Sequence, residues 1–148
     1  MSGAFDANTF LDTHITDANT RRPPINPGDY RATIGEVKPV TGEKEGKTWL
    51  RMDVPLKIEV PFDQQAAQGG AEVTLTHRVF IDLTDQGTID NGPGRNRGQR
   101  QYRDACDLNK PGEAFSWRML QGHQVLVQIA HELYNNETQE RVTGVAKA

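Results

Sequence analysis

The sequence predicts a mainly β domain: a five-stranded Greek-key barrel with a short helix between strands three and four, preceded by an extended arm. Three observations predict it. From Asp29 onward, apolar residues alternate with polar ones through five separate runs, the period-two signature of half-buried strands. The helix-compatible stretch Gln99–Leu108 falls between the third and fourth runs. Segments rich in Gly, Pro, Asn and Asp, the residues that turns require, separate the runs, and the chain holds 14 Gly and 8 Pro in 148 residues.

Residues 1–28 read as the arm and 29–148 as the domain. In the arm, Phe5, Phe10, Leu11 and Ile15 make one short amphipathic segment. Arg21-Arg22-Pro23-Pro24 and Asn26-Pro27-Gly28 then form a stiff extended stretch that excludes helix. The first reading is an arm that packs along its own domain. The functional alternative is an arm for oligomerisation or for docking a replication partner.

Strand one runs from Asp29 to about Lys38, with Tyr30, Ala32 and Ile34 in phase and Gly35 marking a bend or close backbone approach. Pro39–Lys47 reads as a charged loop. Strand two carries Leu50, Met52, Val54, Leu56, Ile58 and Val60 at every other position, with Pro55 on the opposite phase signalling an edge or a bulge. Pro61–Ala71 reads as a polar hairpin loop. Val73, Leu75, His77, Val79, Ile81 and Leu83 define strand three, and Thr84–Gly98 is loop. The helix Gln99–Leu108 stops at Asn109 and Pro111-Gly112, and Glu113–Leu120 is a turn or short helix. Strand four, His123–Tyr134, joins strand five, Gln139–Ala146, through the turn Asn135-Asn136-Glu137. This order is that of the OB-fold, and closing the sheet removes the edges that five strands would otherwise expose. A flat antiparallel sheet with a packed helix, or a small sandwich, is the alternative architecture.

No window approaches the apolar length of a membrane helix, and the first residues lack the basic start and apolar core of a secretory signal. A single cysteine, Cys106, excludes an internal disulfide framework and fits a reducing compartment. The expectation is a cytoplasmic protein. The 17 Lys and Arg against 20 Asp and Glu give a net charge of -3, which excludes a uniformly basic DNA coat. The positive charge is nevertheless local. Between Asn91 and Arg103 stand Arg95, Arg97, Arg100 and Arg103 with no acid among them, and arginine is the side chain suited to bidentate phosphate contact and to stacking on flat rings. That stretch reads either as a flexible phosphate-tracking loop that orders on binding or as a solvated loop and helix face.

Alternation also assigns the other face. If Leu50, Met52 and Val54 point inward, Trp49, Arg51 and Asp53 point outward, with Arg78 and Phe80 beside them from strand three and Arg31 from strand one. Outward aromatics fenced by arginines suit single-stranded nucleic acid, whose bases stack on rings while guanidinium groups meet phosphates. The competing reading is that the arm or the 61–71 loop covers Trp49 and Phe80. A one-residue change of register would invert the assignment.

Pro27-Gly28-Asp29-Tyr30-Arg31-Ala32-Thr33-Ile34 at the first strand resembles the start of small phage-encoded single-stranded DNA-binding proteins. So does Arg103–Leu108 followed by Leu120-Gln121-Gly122-His123-Gln124-Val125, and so does the closing Arg141–Lys147. The likeness covers Pro27 to the C-terminus and rests on pattern and strand order. It implies an OB-fold that coats single-stranded DNA in phage replication or recombination without catalysis, in the host cytoplasm. By that resemblance the binding role falls on Trp49, Arg51, Arg78 and Phe80. One departure is the C-terminus: many such proteins end in an acidic tail, whereas this chain ends Gly144-Val145-Ala146-Lys147-Ala148 and carries Asp6, Asp12 and Asp17 in its arm.

The candidate nucleic-acid contacts are therefore Arg31, Trp49, Arg51, Arg78, Phe80, Arg95, Arg97 and Arg100, with single-stranded DNA as partner and no cofactor. His14, His77, His123 and His131 are scattered without zinc-site spacing. His77 lies on the core phase, and Cys106 and Tyr102 read as core. Ser2 and Ser116 sit in no nucleophile-elbow pattern, and the glycines around Arg95 and Arg97 lack a Walker ending. Asp82, Asp85 and Asp90 are loop-capping residues by preference, a metal-dependent nuclease being the remote alternative. The main competitor to DNA binding is a phage structural or assembly protein that docks through the arm.

Overall fold

The computed structural model describes residues 5–148; Met1–Ala4, the start of the expected arm, lie outside the described residues. Six antiparallel strands make up the sheet: β1 Gly28–Ile34, β2 Lys38–Lys44, β3 Lys47–Glu59, β4 Glu72–Ile81, β5 Gln124–Tyr134 and β6 Glu137–Lys147. Among the described residues there are three helical segments, α1 Ala7–Phe10 ahead of β1, α2 Phe62–Gln68 between β3 and β4, and α3 Arg97–Ala105 between β4 and β5, the last followed by a 3-10 turn at Trp117–Leu120. The chain is mainly β, as its alternation predicts.

The long β3 organises the sheet. Residues Leu50–Glu59 pair with β4 along one edge. The other edge takes β2 against Lys47–Asp53 and β1 against Leu56–Ile58. Between those two partners the register slips by one residue, from Ala32 opposite Ile58 to Lys38 opposite Asp53. Gly35 N–H still donates to Pro55 O at 2.8 Å across the slip, and a Cβ at 35 would stand 3.0 Å from Pro55 Cγ. The bend expected at Gly35 and the irregularity expected at Pro55 are thus one feature, and β1 and β2 follow a single path along β3. The first path continues through β5, paired with β1 from Gly28–Ile129 to Thr33–Gln124, and on to β6.

Two segments expected to be loops are regular. Lys38–Lys44 is a strand although only Val40 in it is strongly apolar, because β3 supplies the ladder and the reversal at Glu45-Gly46, with φ of 54° and 77°, has the geometry that a tight hairpin needs. The strand count is therefore six, not five. Within Pro61–Ala71, Phe62–Gln68 is helical and ends on Gly69 at φ 79°, the usual left-handed helix stop. The predicted helix Gln99–Leu108 begins two residues earlier, at Arg97.

The inward phases of β1, β3, β4 and β5 meet in one core, with Ala32, Val54, Leu56, Ile58, Val125 and Val127 fully buried. Each large apolar side chain so buried contributes roughly 1.5–3 kcal/mol. Among the described residues β4 and β6 form no ladder with each other; α3 packs against both. Its Tyr102 is wholly buried, and Gly98 lets the helix approach β4 so closely that a Cβ there would meet Val79 Cγ1 at 2.6 Å. Cys106 is buried in the same core, and burial raises its thiol pKa, with the charge of Asp107 adding to the effect.

The arm packs along its own domain from Arg21 onward. Arg22 forms an ion pair with Glu140 and donates to Gln68 Oε1 at 2.9 Å. Ile25 is fully buried and its N–H donates to Glu140 Oε2 at 2.7 Å. Upstream, Phe5, Phe10, Leu11 and Ile15 remain exposed.

Candidate nucleic-acid interface

The outward face of the β3–β4 ladder begins at Trp49. Arg51 stands opposite Phe80, and Asp53 opposite Arg78, so the register puts all of them on the face away from the core. The rings of Trp49 and Phe80 lie 6.0 Å apart at 54°, within the range of favourable aromatic pairing. The Arg51 guanidinium sits 5.6 Å from the centre of the indole and is fixed by Asp53, with Nε to Oδ1 at 2.8 Å. Phe80 is 61% exposed. Among the described residues the arm's hydrogen bonds outside itself run to α2, β1, β5 and β6, away from this pair.

A hollow between β4 and α3 extends the platform. Arg78, Phe80, Arg97, Gln101 and Thr143 line it, so the first residue of the helix brings its charge to the same surface. On the other side of Trp49, a groove of about 970 Å³ runs between the β2–β3 turn and the loop from Asp82 to Arg95, with Lys47, Thr48 and Arg95 on its walls. Arg95 is held at 3.5 Å by Asp90. Among the described residues Arg78, Arg97 and Arg100 form no ion pair.

One residue holds this loop in shape. Asn96 is buried, at φ 52°. Its backbone N–H donates to Asp82 Oδ2 at 2.7 Å, its Oδ1 accepts from Asp82 N at 2.7 Å, and its Nδ2 donates to Asp82 O and Asp90 O. Asp90 Oδ1 accepts from Gly92 N at 2.9 Å. Asp82 and Asp90 are thus capping residues. This loop, which the sequence allows either to order on binding or to be a solvated loop and helix face, is clasped at Asn96.

The structure brings together Trp49, Arg51, Arg78, Phe80 and Arg97, with Arg95 across the groove. Arg100 is exposed one turn along α3 from Arg97. Arg31 belongs elsewhere. It stands opposite Leu126 on β5, and Thr33, its outward neighbour on β1, pairs with Lys57, roughly 26 Å along β3 from Trp49 at about 3.3 Å per residue. The expected neighbourhood fails because β2, not β1, lies beside the start of β3. The cations that take that place are Lys38, opposite Asp53, and Lys47; the Glu-Gly turn at 45–46 is the sequence signal for the hairpin that carries them. Arg103 is anchored away from the platform: its Nε donates to Leu108 O at 3.0 Å, and its guanidinium lies 4.7 Å from the Phe115 ring centre.

No protein-family model matches the chain, and no curated protein matches it.

Proposed function

We propose that this protein binds single-stranded DNA without catalysis and without sequence preference, in phage DNA replication or recombination. The observation that carries the reading is the Trp49–Phe80 pair on a solvent-facing ladder, with Arg78 and Arg97 beside it. Bases stack on the rings, at about 1–3 kcal/mol each, and the arginines neutralise phosphates, so affinity falls with salt. Duplex DNA, whose bases are already stacked, binds poorly. The continuity of β1 and β2 along β3 supports reading the six strands as five paths in OB order, with α3 bridging β4 and β6. The host cytoplasm is the compartment that goes with this role.

Fluorescence anisotropy of a labelled oligothymidine, titrated beside a duplex of equal length, tests the reading. Tight single-strand binding that spares the duplex supports it, and no binding at low salt overturns it. A second reading, docking of the chain into a particle or onto a replication protein, is favoured by Phe5 and Leu11, each 80% exposed on the arm. Phe5→Ser with Phe10→Ser then abolishes partner capture and leaves DNA binding intact.

A further inference from the structure

The groove beside Trp49 does not end at the edge of the sheet. It shares Ile81, Leu83 and Gly87 with a second hollow, of about 470 Å³, on the inward side of the β3 and β4 ends. Leu50, Met52, Ile81 and Leu83 form its floor: these are core-phase residues just beyond the helix that covers the rest of the core. Phe115 and Trp117 wall it, their rings 6.2 Å apart and edge-on. Polar groups ring the apolar floor. Gln99 accepts from Trp117 Nε1 at 2.9 Å, which leaves its amide N–H groups to donate. The Arg103 guanidinium lies over Phe115, and Asn91 and Glu113 complete the rim.

We infer that this hollow takes one unstacked base of the bound strand, its ring among Phe115, Trp117 and the Arg103 guanidinium. The inference rests on the single-strand reading above and adds a site to it. The size lies within the range of small-molecule pockets. Flat rings and a guanidinium plane are the surfaces on which splayed bases stack. An aliphatic chain or an apolar helix would cover the floor but offer nothing to the Gln99 amide N–H groups, Asn91 and Glu113 along the lining, whereas a base presents donors and acceptors around its rim. Continuity supplies the path: a strand stacked on Trp49 passes Lys47 and Arg95, both able to meet phosphates, before it reaches the shared residues Ile81 and Leu83.

The chain has two tryptophans, Trp49 and Trp117, so a Trp49→Phe variant keeps a stacking ring on the platform and makes Trp117 the sole reporter. Labelled oligothymidine titrated into this variant reads binding by anisotropy and occupancy of the hollow by Trp117 emission. The expected result is quenching of Trp117 in step with binding, none with an abasic oligomer of equal length, and about a tenfold weaker affinity when Phe115→Ala is added. Anisotropy that rises while Trp117 emission stays unchanged overturns the inference and leaves the platform reading standing. No rise in anisotropy in the wild-type chain overturns both.

Discussion

The indole of Trp49 lies across the backbone of Gly42, its partner in the β2–β3 ladder, so closely that a Cβ at 42 would stand 2.6 Å from Cζ2. The glycine is a seat: the ring rests on the adjacent strand on one side and meets Phe80 on the other. Alanine suits an extended backbone, so Gly42→Ala leaves the hairpin intact but lifts the indole. The expected outcome is a native melting transition, altered Trp49 emission, and a loss of single-strand affinity approaching that of Trp49→Ala, about 1–3 kcal/mol. Unchanged affinity with a displaced ring would separate Trp49 from binding.

The arginines divide by place. Arg78 and Arg97 share the hollow beside Phe80, whereas Arg31 lies on the β1–β5 side. Replacing either of the first two with Gln should lower the slope of log affinity against log salt by about 0.7 for each phosphate that is no longer neutralised. Arg31→Gln should leave slope and affinity unchanged. Titrations across roughly 50–200 mM salt decide it; an Arg31 variant that alters the slope would move the DNA path onto β1.

Asn96 joins the loop to the strand end through Asp82 and Asp90. Asn96→Ala removes the side-chain bonds and places an alanine at a left-handed φ that Asn tolerates better. A loss of about 2 kcal/mol or more is expected in urea unfolding, since buried donors and acceptors are left without partners. Single-strand affinity falls with it, because Arg95 and Arg97 flank the clasp. Asn96→Gly relieves the backbone but not the missing bonds, so it recovers only part of the stability.

Much of this is legible in the residues. The alternation of Leu50 to Val60 and of Val73 to Ile81 puts Trp49, Arg51, Arg78 and Phe80 on one face, because a strand has only two faces to offer. What alternation cannot provide is partner choice. Nothing in Lys38–Lys44 marks it as a strand by its own side chains, since its ladder is stabilised by β3, and without that strand Arg31 falls beside Trp49 instead of on the far side of the slip. The clasp at Asn96 is hidden for a related reason: a buried Asn in a loop of Asn, Asp and Gly looks like its exposed neighbours until tertiary contacts select it.

His77 provides a test of the core itself. It sits on the inward phase of β4, its Nδ1 2.7 Å from the Tyr102 hydroxyl. Burial, and then the positive charge of Arg141, pull its pKa from 6.5 down to about 4, while burial, followed by the effect of Cys106, pushes that of Tyr102 up. Above the unfolded value of 6.5 the imidazole is neutral in both states and stability is at its full level. Between 6.5 and about 4 the unfolded chain binds a proton that the folded chain does not, so stability falls as pH falls through that window, and the loss levels off below it. A shift of this size corresponds to at most about 3 kcal/mol. Urea unfolding at a series of pH values across that window should show the decline in the wild-type chain and a flatter profile in His77→Gln, which also starts lower because the Tyr102 hydroxyl is deprived of a well-placed partner. An identical decline in both proteins would remove His77 as the source of the acid sensitivity.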